Sequence, residues 1–238
     1  MMVRSLMIAA DAAPAQIARL ASGQLHELYF DAVDWGAALA FILHDMGKSH
    51  NQMDMIWVRS RPKPETPLLY GPGLQILGHD PAGFVLVEAE DMIAVLRAGL
   101  DVARSGAVGS CIISLQGRCA QYDLTASRKL LLAAEQSGCR VMLCLSDAEE
   151  RPSAAQSRWR VRSAAAQPLI ANAPGGPAID VELLRRRGGP AGERWRMEWN
   201  EDDNWQETAL AGAMAPALCL RAPMEASNAE QADYQHAA

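Results

Sequence analysis

Apolar runs of strand length alternate with helix-like stretches along residues 24–146, and this alternation limits the possible folds more than any other feature. QLHELYF (24–30), MIWV (55–58), GFVLV (83–87), VGSCIISL (108–115) and RVMLCL (140–145) read as strands. Asp34 stands where an N-cap would open the run WGAALAFILHDM, and Asp123 does the same for LTASRKLLLAAEQS, which ends at Gly138. On the helix predicted over residues 91–104, Met92, Val95, Leu96, Gly99, Leu100 and Ala103 share one face. Strands that are apolar on both faces must be covered on both sides. The pattern therefore predicts an α/β fold: a mostly parallel sheet flanked by helices.

The pattern changes near residue 157. SRWRV, DVELLRRR and ERWRMEW alternate polar and apolar residues and are separated by PGG and RGGPAG turns. They are expected to extend the sheet as C-terminal antiparallel edge strands. After residue 200 the chain becomes Ala-rich, acidic and weakly periodic. Three segments follow: 1–23, helical or flexible; 24–200, the folded domain; and 201–238, an acidic tail expected to be disordered.

Charge follows the same division. Of the net −6, residues 201–238 supply −6 (seven acids against Arg221), residues 151–196 supply +6 (nine Arg against Asp180, Glu182 and Glu193), and the rest is mildly acidic. Arg158, Arg160, Arg162, Arg185, Arg186, Arg187, Arg194 and Arg196 are interleaved with Trp159, Trp195 and Trp199. Arginines and aromatics together can track a phosphate backbone and stack bases, so this stretch is a candidate DNA or partner contact. The competing reading puts the Trp side chains in the core and the alternate Arg side chains in water, as strand alternation expects.

Five cysteines at irregular spacing, with no C-x-x-C pair, argue against a zinc site or a redox dithiol, and no metal is expected. No apolar run approaches the roughly 18 residues that a membrane helix needs. Asp11 closes the short apolar start, so a cytoplasmic location is expected rather than a signal peptide.

Two motifs suggest enzymes. Gly47-Lys48-Ser49 looks like the end of a phosphate-binding loop, but the required Gly five residues earlier is Ile42, and the tripeptide follows a helix instead of opening one. ILHDMGK resembles the signature of HD-type metal-dependent phosphohydrolases, with His44 and Asp45 as adjacent ligands, completed by an upstream His such as His26 and a distant Asp. That family is all-helical, whereas His26 lies in a strand-like run here.

A broader resemblance runs through the chain in order. LHELYFDAVDWGAALAFIL resembles the first strand, Walker A loop and following helix of the RecA ATPase core. VARSGAVGSCIISL resembles the helix and Walker B strand, LTASRKLLLAAEQSGCRVMLCL the next helix and strand, and VELLRRRGGPAGERWRMEW the later antiparallel pair. LYGPGL with LGHDP, DLTASRKLLLAAEQSG, SRWRV and LLRRRGGPAGERW look closest to the ImuA family, small RecA-related proteins of bacterial SOS mutagenesis cassettes.

The departures from RecA lie in the nucleotide-handling residues. Phe30 replaces the opening Gly of Walker A, Trp35 lies inside the loop, Gly36 replaces its Lys, and Ala37 replaces the hydroxyl that binds Mg²⁺. Ser114 stands where the Walker B Asp would be. WVRSRPKPET offers no carboxylate at the water-activating position, Glu65 being a few residues too late. Asp31 and Asp34 would repel a phosphate about 4 Å away by ~1–4 kcal/mol each. The resemblance thus implies a RecA-like domain without ATP chemistry and without a cofactor. The partners it implies are ImuB (an inactive relative of Y-family polymerases), RecA and, through ImuB, an error-prone DNA polymerase. A relative of the SOS cell-division inhibitors, which would bind FtsZ, is the other non-enzymatic alternative.

Overall fold

The computed structural model describes residues 16–47, 55–61, 69–166, 168, 173, 175–200 and 204–210. Its strands are β1 (Leu25–Phe30), β2 (Met55–Ser60), β3 (Phe84–Ala89), β4 (Ser110–Gln116), β5 (Arg140–Ser146), β6 (Ser157–Ala164), β7 (Ala178–Arg186), β8 (Arg194–Trp199) and β9 (Trp205–Ala209). The helices are α1 (Trp35–Gly47), α2 (Gly71–Ile76), α3 (Met92–Ser105) and α4 (Leu124–Ser137). All nine strands form one sheet in the order β3-β2-β4-β5-β1-β6-β7-β8-β9. The first six strands are mutually parallel and the last three alternate antiparallel. This is the mixed α/β sheet, mostly parallel with antiparallel edge strands, that the apolar pattern predicts.

Strand alternation sorts the core onto two faces. Leu28, Phe30, Trp57, Ile112, Met142, Trp159, Val181 and Trp195 pack with α1 and Leu74 of α2. Leu25, Tyr29, Val58, Ile113, Val141 and Leu143 pack with α3 and α4 on the other face. Both long helices of that face begin at an Asp cap, the one on α4 as the sequence predicts. Asp91 and Asp123 accept from the amides of Ala94 and Ala126, and Gly138 supplies the left-handed residue after α4 at φ 76°. Gly99 lets α3 lie close to β4: a Cβ there would fall 2.4 Å from Ile113 Cδ1.

Four expectations need correction. β6 is not antiparallel to the sheet body: it runs parallel to β1, and the antiparallel part starts only at β7. The chain reaches β6 from β5 by a helix-free crossover, residues 147–156, tucked over Tyr29 on the α4 side. Asp34 does not cap α1 directly, because a 3-10 turn at Ala32–Asp34 comes first and the Asp34 carboxylate accepts from the Ser163 amide instead. The segment assigned to the tail contains β9, which is paired with β8 and held by Glu207, whose carboxylate meets the Ile17 amide and His44 (2.9 and 2.8 Å). At the other end, residues 16–20 are not helical, and Ile17 and Leu20 are buried in the core. Residues 1–15 and 211–238 lie outside the described residues, as does Glu65. Among the described residues no helix is long and apolar enough to cross a membrane.

Candidate functional site

In a mostly parallel sheet, ligands bind at the carboxyl ends of the strands, and β1, β4 and β5 end together here at Phe30, Gln116 and Ser146. The chain leaves Phe30, makes the single turn 31–34, and enters α1 at Trp35. Four residues are too few for a wide loop of converging amides. Asp147, the first residue after β5, closes the turn: its amide donates to the Phe30 carbonyl and its carboxylate accepts from the Ala32 amide at 2.8 Å. A carboxylate of the protein thus occupies a backbone donor that an anion would otherwise use. Asp147 does this at φ 52°, a left-handed conformation that Asp tolerates better than most residues.

Aromatic side chains fill the space beside the turn. Trp35 stacks on Trp57 of β2, with ring centroids 5.0 Å apart and planes within 21°, and its ring also lies 5.5 Å from Phe30. The Trp57 indole N–H donates to Ser114 Oγ at 2.8 Å. The Arg59 guanidinium lies 5.0 Å from the Trp57 ring and is held by Glu88 at 2.9 Å. Ser114 pairs across β4 and β5 with Cys144, whose thiol burial pushes up to about 12, so it stays a neutral hydrophobe. The structure therefore brings Phe30, Trp35 and Ser114 together through Trp57. Ala37 is buried under them, while Gly36 is exposed and a Cβ on it would meet nothing within 4 Å. The sequence reading missed Trp57, Arg59 and Asp147. The inward parity of Trp57 in MIWVRS was the available signal for the first.

The eight arginines do not form one surface. Arg158 is buried and donates from Nε to Glu27 Oε2 at 2.9 Å; it also lies over the Tyr29 ring at 5.5 Å. Glu27 is fully buried and also accepts from the Tyr122 hydroxyl at 2.5 Å. Burial first, then the Glu27 carboxylate, pushes the Tyr29 phenol up to about 12 and Tyr122 well above its usual range. Arg158 is thus a core residue, and its place among the contact residues is withdrawn. Arg160 pairs with Glu150 and Glu182, and Arg196 grips Asp180 with two bonds of 2.8 and 3.0 Å. Arg162, Arg185, Arg186, Arg187 and Arg194 are exposed. Trp159 and Trp195 are 1% exposed and pack near Phe41 and each other, so neither can stack a base.

The HD-type reading fails on the fold and on the ligands. The three groups are spent on separate bonds: His26 on Ser157 and the Ala21 carbonyl, His44 on Glu207, and Asp45 on the Leu20 amide and Arg140. Among the described residues no cluster of His, Cys, Asp and Glu could hold a metal ion. Gly47 ends α1, so the GKS tripeptide follows a helix, and Lys48 and Ser49 lie outside the described residues. A cavity of about 220 Å³ opens at the same strand ends on the α4 side, lined by Tyr29, Arg118, Cys119, Tyr122, Glu149 and Arg151 among others.

No known family and no curated protein matches the chain. Among solved structures it is similar to the RadB recombinase, with a TM-score of 0.49 and 15% identity over 76% of this chain and 89% of that one.

Proposed function

We propose that this chain is a RecA-like adaptor that has given up ATP chemistry and acts in DNA-damage-induced mutagenesis and translesion synthesis. One observation carries the loss of ATP chemistry: the Trp35–Trp57–Ser114 arrangement fills the ground beside the β1 turn, where phosphates and Mg²⁺ would sit. The RecA-like part is supported by element order. The segments that resemble the first strand and helix, the Walker B strand, the following helix and strand, and the late antiparallel pair fold as β1–α1, β4, α4–β5 and β7–β8.

The partners rest on the resemblance to the ImuA family: ImuB, RecA and, through ImuB, an error-prone polymerase. An interaction role suits the outer edge of β3, which no described strand covers and where Val85 and Leu86 are 49% and 41% exposed. The test mixes the purified full chain with ImuB, RecA or FtsZ and measures complex mass by size exclusion with light scattering. A stoichiometric complex with ImuB is expected. Failure to bind either ImuB or RecA would overturn the adaptor reading, and a complex with FtsZ alone would replace it with the division-inhibitor alternative.

A further inference from the structure

Pairing divides the arginines of the basic segment. Arg158, Arg160 and Arg196 are neutralised by Glu27, by Glu150 and Glu182, and by Asp180. Arg162, Arg185, Arg186, Arg187 and Arg194 have no carboxylate partner among the described residues. Three of these five gather at one place: Arg185 and Arg186 close β7 and Arg187 follows. Arg194 stands apart, opposite Glu182, which is level with Arg160 and Tyr29 near the carboxyl edge. The turn after Arg187 is Gly- and Pro-rich and adds only Glu193 as an acid.

Register fixes where this end lies. Arg186 pairs with Ser157, and Ser157 pairs with His26 near the start of β1. The hairpin end is therefore at the opposite edge of the sheet from the Phe30 turn, about 15–20 Å away at ~3.3 Å per strand residue. The far edge is acidic, with Asp31, Asp34 and Asp147 around the turn. A polyanion is thus repelled from the filled site and attracted to the hairpin. The net charge of −6 does not cancel this, since charges more than about 10 Å apart are screened at 0.1 M salt.

We infer that the β7–β8 hairpin end, through Arg185, Arg186 and Arg187, binds the phosphate backbone of nucleic acid without reading sequence, and prefers duplex to single strand. The preference for duplex follows from what surrounds the arginines. Single-strand binders add aromatic platforms, but the nearest candidates, Trp159 and Trp195, are sealed in the core. Only charge remains, and the duplex has more of it per length. The inference goes beyond the adaptor reading, which concerns protein partners, and the two can fail separately.

The test is fluorescence anisotropy of the full chain on labelled 30-mer duplex DNA, single-stranded DNA and duplex RNA between 50 and 200 mM salt. Three phosphate contacts give a log–log salt slope of about −2.7 on duplex DNA, a loss of roughly 40-fold over that range. The triple Ala variant of Arg185, Arg186 and Arg187 should lose binding at every sequence, while the triple Lys variant should keep most of it. An Arg128→Ala, Lys129→Ala variant removes two exposed charges on α4 and should change binding only a few-fold. Unchanged circular dichroism and melting would show that the variants are folded. No binding at 50 mM salt, unchanged binding of the triple Ala variant, or tenfold tighter binding of single strands would each overturn the proposal. A tenfold preference for RNA or DNA duplex would do so too, because phosphates alone cannot tell them apart.

Discussion

At the scale of single residues, the chain places two ionisable groups where burial decides their behaviour. His26 is buried, its Nε2–H donates to the Ala21 carbonyl, and its Nδ1 accepts from the Ser157 hydroxyl. Desolvation by burial, helped by Arg140, lowers its pKa from 6.5 to about 4 against the opposing Ala21 bond. The native state thus binds fewer protons than the unfolded chain between these values. The stabilisation is whole above pH 6.5 and is lost as pH falls towards and through 4, amounting to about 3 kcal/mol at pH 4. Urea titrations at pH 7 and pH 4 should show the wild type losing about that much more stability than His26→Gln; equal losses would contradict the account. Arg158 makes the second case. Removing it in Arg158→Ala leaves Glu27 buried without its partner, which should cost about 3–5 kcal/mol, while Glu27→Leu with Arg158→Leu should recover most of the loss. Sequence could not show this, because an Arg in a run of alternating Arg and Trp looks identical whether it faces water or a buried Glu 131 positions away.

At the scale of elements, the parallel half of the sheet was legible and the C-terminal edge only partly so. β1, β4 and β5 are buried almost throughout on both faces, and α3 and α4 beside them begin at Asp caps, so local chemistry and tertiary fold agree. β6 was misread because polar alternation usually marks an antiparallel strand with one wet face. Here its polar side chains are taken up by Glu27, Glu150 and the crossover instead. β9 was missed because its sequence, WQETA, is short and polar, and what holds it lies far away at Ile17 and His44. Truncation after Asp203 should therefore lower stability by roughly 2 kcal/mol or more, about 4–8 °C in Tm, relative to truncation after Leu210. Equal melting temperatures would show that β9 contributes nothing. On α3, Gly99→Ala should cost about 1–3 kcal/mol in urea unfolding, because the added methyl would meet Ile113, which is 0% exposed and has no room to yield.

At the scale of the whole molecule, aromatic side chains and Asp147 occupy the space beside the β1 turn, while exposed Arg185, Arg186 and Arg187 stand at the opposite end of the strands. The candidate site was legible as a set of missing residues: Phe30, Gly36, Ala37 and Ser114 lack the groups that hold phosphate and metal. What replaces them was not legible, since it depends on Trp57 and Asp147 arriving from neighbouring strands. Gly36→Lys should fold normally, there being open space around that position, yet it should gain no ATP affinity, because the amide, the hydroxyl and the space remain taken. The most direct test of the central claim is isothermal titration of the full chain with a non-hydrolysable ATP analogue and Mg²⁺. The account predicts no saturable heat up to millimolar nucleotide, for the wild type and for Gly36→Lys alike. A micromolar Kd for the wild type would contradict it.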